Sequence, residues 1–152
     1  MLSWLARHFP FLRRIYVLPQ LLDTLLLAYT LARHPAAARA MHALETEVLR
    51  WPGVSAHIHR FGGTEFRVSR REIGHLHGHG LLDILLTRAL RDEVVLSGIA
   101  KPHHIFPQSA WVSFNLCAAE DVPAALTLLR RNYDRIKSEY EKSEYEKSES
   151  KL

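Results

Sequence analysis

The sequence predicts an α+β fold: an antiparallel β-sheet with helices packed on one side, preceded by an N-terminal helical region. Three observations carry this. Apolar residues recur at helical spacing as far as Arg50, the period changes to two between Val54 and Leu116, and helical spacing returns after Asp121. Short strands joined like hairpins, with helices before, within and after them, build one sheet covered by helices. At 152 residues with 47% apolar side chains, the chain suits one domain with a core.

Residues 15–32, IYVLPQLLDTLLLAYTLA, form an apolar helical stretch interrupted by Pro19 and Asp23. Its length is at the short limit for crossing a bilayer, and a central aspartate is costly there. Arg7, Arg13 and Arg14, with Trp4, Phe9, Phe11 and Tyr16, suit a helix lying on a membrane surface. Packing on the domain or on a second subunit is the favoured expectation. His34-Pro35 breaks this helix, and Pro35 suits the first turn of the next. Ala37, Met41, Leu44, Val48 and Trp51 then mark one apolar face, stopped at Trp51-Pro52-Gly53.

The first strand runs from Val54 to Arg60, and Phe61-Gly62-Gly63-Thr64 is a turn. Glu65 to Ser69 follows with Phe66 and Val68 inward. Ser69-Arg70-Arg71 turns the chain into a histidine strand, which Gly78-His79-Gly80 breaks. Leu81 to Leu86 reads as a buried strand. Thr87 caps a short helix, Arg88 to Ser97, ended by Gly98. Pro102 to Gln108 is a loop. Trp111 to Leu116 is the last strand, with Val112 and Phe114 on one face and Trp111, Ser113 and Asn115 on the other. Asp121 caps a final helix carrying Val122, Leu126, Leu129, Tyr133 and Ile136. The parts are therefore 1–50, the N-terminal helical region; 51–136, the α+β domain; and 137–152, a low-complexity SEYEK-repeat tail. The terminal Ser150-Lys151-Leu152 spells a peroxisomal address, but three letters match easily by chance. A reducing, cytoplasmic setting is expected, with peripheral membrane contact through residues 1–33 as the alternative.

The formal charge is +4, but residues 137–152 hold four lysines against five glutamates, so the body stands near +5. Its basic residues are fifteen arginines and Lys101, scattered rather than striped, and no nucleic-acid motif is present. Nucleic acid is not an expected partner. The single cysteine, Cys117, excludes an internal disulfide and a multi-cysteine zinc site, and it is expected to be a small buried hydrophobe.

Ten histidines are the main anomaly. In RREIGHLHGHGLLDILL, residues 70–86, His75 and His77 alternate and stand with Ile73 on one strand face. His57 and His59 alternate on the first strand, and His103-His104 lie in the loop. Two chemistries follow. Imidazoles converging with a carboxylate can hold zinc or non-haem iron. Nothing here has the helical spacing of HExxH, so a metal is not the favoured reading. A neutral imidazole can instead take a proton from an enol or phenol while a carboxylate fixes its tautomer. Asp83, alone in LLDILL, needs a partner and suits that orienting role. No Ser/His/Asp elbow, phosphate loop or dinucleotide fingerprint is present.

The run Arg71-Glu72-Ile73-Gly74-His75-Leu76-His77 is joined by Leu81-Leu82-Asp83-Ile84, the short helix with Gly98, Pro102-His103-His104 and Trp111-Val112-Ser113-Phe114. With the closing helix, these segments, from about Val54 to Tyr133, resemble the luciferase domain. That domain is named for the luciferases of glowing fungi, and the pattern here is nearest its small bacterial members, without the longer fungal insertion before the last strand. The resemblance implies a cofactor-independent oxygenase. Its fungal members oxidise 3-hydroxyhispidin, a styryl-pyrone, with O2 through a peroxide that loses CO2 and emits light; they also carry a hydrophobic N-terminal segment. Carried onto this chain, it implies His75 or His77 as base, Asp83 as orienting carboxylate and Arg71 with Glu72 at the catalytic centre, Arg71 stabilising the anion. Trp111, His104, Ser113 and Phe106 would bind the substrate. The expected ligand is a small aromatic enol with O2 as co-substrate and no cofactor. A non-catalytic small-molecule-binding domain and a metal enzyme are the alternatives.

Overall fold

The computed structural model describes residues 17–149. Helices α1 (Val17–Arg33) and α2 (Pro35–Val48) come first. The strands β1 (Val54–Ile58), β2 (Thr64–Val68), β3 (Arg71–Leu76) and β4 (Leu81–Leu85) follow. Helix α3 (Arg88–Leu96) leads to β5 (Lys101–Pro102) and β6 (Trp111–Asn115), and a 3₁₀ turn (Ala119–Asp121) opens α4 (Val122–Glu149). The six strands form one antiparallel sheet in the order β1-β2-β3-β4-β6-β5. The expected α+β architecture is the one found.

The local signals act as expected at most joints. Pro35 sits in the first turn of α2. Thr87 Oγ1 accepts the Leu90 N–H at 3.2 Å, and Gly98 takes the left-handed conformation just past α3. Ser69 and Arg70 both have positive φ, the mirror-image turn whose twist matches an antiparallel hairpin. Pro19 stands within α1 and does not break it over the described residues.

One face of the sheet is apolar. Phe66, Gly74, Ile84 and Val112 line up across β2, β3, β4 and β6 beneath α4. Met41, Leu44 and Val48 of α2 and Leu128, Leu129, Tyr133 and Ile136 of α4 complete this core. Helix α2 therefore shares the core of the sheet domain rather than preceding it. Tyr133 donates its hydroxyl to Pro52 O at 2.9 Å, and Asn132 donates to Ile73 O at 2.9 Å, tying α4 to the chain beneath it.

Four expectations are corrected. A β-bulge in β3 breaks the simple alternation: Phe66 opposes Gly74, Arg67 opposes Glu72, and Ile73 is the inserted residue. Ile73 joins the core, while Glu72 comes to the same face as His75. Lys101-Pro102 is a short edge strand rather than loop. Asp121 does not cap α4 but folds back, its carboxylate accepting the Cys117 and Ala118 N–H groups at 2.7 and 2.9 Å. Cys117 is exposed. The repeat tail continues α4 as helix through Glu149, though the last buried side chain is Ile136. The Ser-Lys-Leu terminus and the arginines and aromatics before Val17 lie outside the described residues. Among the described residues no helix is long and apolar enough to cross a membrane.

Candidate functional site

The other face of the sheet is polar at its centre. Register places Glu65, His75, Asp83 and Ser113 in one row across β2, β3, β4 and β6, with Lys101 next on β5. Four side chains of opposite character are thus forced together by strand pairing alone. His77 follows β3 in the hairpin to β4, its N–H donated to Leu81 O at 2.9 Å. His103 lies opposite Trp111, to whose carbonyl it donates at 3.2 Å.

These elements converge on one atom. Asp83 Oδ2 has His75 Nε2 at 3.5 Å, His77 Nε2 at 3.4 Å and His103 Nε2 at 3.5 Å. Asp83 is fully buried and Oδ2 accepts no hydrogen bond. Its other oxygen takes the Ser113 hydroxyl, which fixes the carboxylate in rotation. The three contacts to Oδ2 are longer than the 2.7–2.9 Å or so of a charged N–H···O⁻ bond, so charge rather than hydrogen bonding carries the attraction.

A second tier orients the rings. His75 Nδ1 meets Glu72 Oε1 at 2.5 Å, a contact that the bulge makes. His77 Nδ1 faces Asp23 Oδ1 of α1 at 3.5 Å, and the same oxygen accepts the Gly78 N–H at 2.9 Å. Both rings therefore turn Nδ1 toward a carboxylate and Nε2 toward Asp83. His103 is set the other way: its Nδ1 accepts the Ile105 and Phe106 N–H groups at 3.1 Å each, so in the neutral ring Nε2 carries the proton. His59 stacks on His75 with centroids 3.7 Å apart, and Trp111 stands 5.5 Å from His75.

Burial opposes charge throughout, but the carboxylates win at two rings. Against burial, Asp23 and Asp83 push His77 up to about 9, and Asp83 and Glu72 raise His75. Burial would raise Asp83; the His75 and His77 imidazoles and the Ser113 hydroxyl hold its carboxyl well below the usual range. Burial lowers His59 and His103, keeping them neutral. The centre is a buried carboxylate beside a protonated His77, with His75 shifted in the same direction and His103 in the opposite one. A protonated ring of this kind can stabilise a bound anion, and one that has lost its proton can act as a base.

Of the sequence-derived site residues, His75, His77, Asp83, Glu72, Ser113 and Trp111 come together. Arg71 does not: it is exposed and pairs with Glu139 of α4, because the bulge leaves it at the far end of β3. His104 and Phe106 sit exposed at the rim, each stacked on His103. His103, buried, takes the inner place assigned to His104. The signal was strand parity: with Lys101-Pro102 paired to Ser113-Val112, His103 falls opposite Trp111 and shares its face. His59 and Asp23 were also missed as members. No spacing links Asp23 to a residue 54 positions away, but His59 follows His57 by the strand period. The rings pack against one another as a cluster, with His104 and Phe106 exposed at its rim. The clefts beside Trp51 and Arg130, and beside Ala100 and Asn115, lie away from the imidazoles.

Among the described residues, two trios could hold a metal ion besides His75, His77 and Asp83: His59 with Glu72 and His75, and Asp83 with His103 and His104. All three share members of the same cluster.

The family model of the luciferase domain matches residues 70–132, the stretch that runs from the start of β3 into α4 and contains Glu72, His75, His77, Asp83, His103 and Trp111. The chain carries a luciferase domain. No curated protein and no solved structure gives a significant match to the chain. The centre of this luciferase domain is contained within the matched residues, apart from Asp23, Glu65 and His59, which support it from α1, β2 and the turn after β1.

Proposed function

We propose that this luciferase domain is a small-molecule oxygenase that takes a planar, acidic enol of the pyrone or phenol type and oxidises it with O2. The observation that carries this reading is the convergence of His75, His77 and His103 on Asp83 beside Trp111. The ring N–H groups of His75, His77 and His103 can donate to an enolate oxygen in a dry site, and the enol proton passes to the neutral His59 ring, whose buried Nδ1 has no partner. The enolate is the electron-rich species that O2 oxidises. Trp111 supplies a flat wall, and His104 and Phe106 mark the rim by which a ring would enter. His77, held protonated by Asp23 and Asp83, and His75, shifted the same way, take the anion-stabilising task that the resemblance gave to Arg71. No cofactor beyond O2 enters this reading.

The test is O2 uptake, with light emission recorded in parallel, on 3-hydroxyhispidin and a panel of hydroxypyrones and hydroxycoumarins. Uptake is expected with at least one enol, and His77→Gln or Asp83→Asn should slow it by about a hundredfold or more. No uptake with any enol, or equal rates in wild type and both variants, removes the reading and leaves a binding domain.

The N-terminal region supports a lipid-surface location. Leu18, Leu21, Leu22, Leu25 and Leu31 of α1 are exposed, and the sequence before it holds Arg7, Arg13 and Arg14. The full chain is then expected to float with vesicles containing anionic lipid and to lose this on removal of residues 1–33. Equal flotation of both forms sinks that location.

A further inference from the structure

We propose that His75 Nε2, His77 Nε2 and Asp83 Oδ2 are the protein ligands of one divalent first-row transition metal, a two-histidine, one-carboxylate site with its remaining positions open beside His103 and Trp111. On binding the ion, His75 and His77 release their Nε2 protons to solvent, so the metal-bound chain replaces the two protonated rings of the oxygenase reading; the proposal takes only its purpose from that reading, and the site itself stands on geometry.

Four observations point to it. The first is spacing. Metal–nitrogen and metal–oxygen bonds of about 2.0–2.2 Å set neighbouring ligand atoms about 2.9–3.5 Å apart, between octahedral and tetrahedral arrangements. His75 Nε2 and His77 Nε2 stand 3.5 and 3.4 Å from Asp83 Oδ2, within that window and outside normal hydrogen-bond length. The second is the orphan oxygen. Asp83 is 0% exposed, and Oδ2 accepts no hydrogen bond although its twin is held by Ser113. A buried carboxylate oxygen that gathers ring nitrogens around it without accepting a hydrogen bond from any of them keeps its lone pairs free for an ion.

The third is ring orientation. A metal lies in the plane of each imidazole that binds it. The His75 and His77 rings are 87° apart, so their planes cross and one ion can lie in both. The His59 and His75 rings are within 13° of parallel and 3.7 Å apart, so no ion lies in both planes. This excludes the trio of His59, Glu72 and His75, whose Glu72 is in any case committed to His75 Nδ1. The fourth is the outer tier. Ligating histidines usually give their other N–H to a carboxylate or carbonyl, which fixes the tautomer and strengthens the ligand. Glu72 does this for His75, and Asp23 faces His77 Nδ1 for the same purpose. His103 fails this requirement. Its Nδ1 accepts two backbone N–H groups, so Nε2 carries the proton and serves as a donor to a bound anion rather than as a ligand. An open-sided set of two imidazoles and one carboxylate is the arrangement that suits iron(II) with O2, whereas a closed four-ligand set would suit structural zinc.

The test uses the full chain purified without a histidine tag, stripped with chelator and titrated with cobalt(II), whose visible bands report coordination by nitrogen and oxygen. One cobalt per chain is expected. His77→Gln and Asp83→Asn should weaken binding a hundredfold or more, and Glu72→Gln by about tenfold. His103→Gln should keep the stoichiometry, as should His42→Ala and His57→Ala, whose rings are exposed elsewhere. Saturation below about 0.1 metal per chain, or unchanged affinity in His77→Gln and Asp83→Asn, overturns the site. Should those variants not fold, paramagnetic shifts in the wild-type chain decide: cobalt must move the His75 and His77 ring signals and spare those of His42 and His57, and the reverse pattern overturns the proposal. Metal binding without O2 uptake on any enol overturns the oxygenase reading alone. O2 uptake by the chelator-stripped chain, with no metal bound at saturation, overturns the metal alone.

Discussion

Asp83 shows how much one side chain can depend on its neighbours. In LLDILL it is a charge inside a β-strand, and only its cross-strand partners make that tolerable: His75 on one side, Ser113 on the other. Asp83→Asn removes the counter-charge that His75 and His77 share, leaving each buried ring only its outer carboxylate, Glu72 or Asp23. The expected cost is about 3 kcal/mol, read as a lower urea midpoint at unchanged slope. His77 brings a pH dependence. Its folded value of about 9 lies above the 6.5 of an ordinary imidazole, so its stabilisation is complete below about pH 6.5 and is lost as pH rises toward 9. In the chelator-stripped chain this amounts to at most about 3 kcal/mol, an interaction shared with Asp83 and Asp23 and counted once. Denaturant midpoints from pH 6 to 9.5 should fall in wild type and stay nearly flat in His77→Gln; parallel curves would contradict the Asp23–His77–Asp83 linkage.

At the scale of the element, the bulge in β3 decides the site. Strict alternation would put Glu72 on the face opposite His75; inserting Ile73 into the core returns Glu72 to the histidine's side, where it meets Nδ1 at 2.5 Å. Next to it, Gly74 lets β3 approach both β4 and α4. A Cβ there would come to 2.9 Å from Asp83 O and 2.7 Å from Leu129 Cδ2. The leucine can rotate but the strand carbonyl cannot, so Gly74→Ala is expected to destabilise by about 2 kcal/mol. Because the strained partner is the strand that carries Asp83, the His75 ring signal should also shift in that variant. A stable Gly74→Ala chain with an unmoved His75 would show that β3 has slack.

For the molecule as a whole, α1 is weakly tied to the core and yet reaches the site. Only Thr30 of its side chains is buried, yet Asp23 reaches His77 and Gln20 donates to His59 O at 3.1 Å. Contact is close because glycines face it. A Cβ on Gly78 would come to 2.5 Å from Asp23 O and 2.8 Å from Leu27 N, both backbone atoms that cannot give way singly. Gly78→Ala is therefore expected to lift α1 from the hairpin, with faster amide exchange across 17–33 and a lower His77 pKa, while the sheet amides stay protected. Unchanged exchange in α1 would mean that the helix is held by α2 instead. The same helix exposes most of its leucines, so one element closes the site on one side and offers an apolar surface on the other.

Much of this was legible in the sequence because it is local. Strand and helix periods, the Pro35 start, the Thr87 cap, the Gly98 stop and the pairing of His75, Asp83 and Trp111 on one sheet follow from short-range rules and from the resemblance of residues within 54–133. What the tertiary structure decided is everything that needs register or distant segments. A single inserted residue moved Glu72 to the site and Arg71 away from it, a two-residue strand chose His103 over His104, and packing of α1 supplied Asp23. The physical reason is the same in each case. A side chain's type and period are properties of its own segment, but the 3.4–3.5 Å meeting of three imidazoles at one carboxylate oxygen is a property of how four segments are held together.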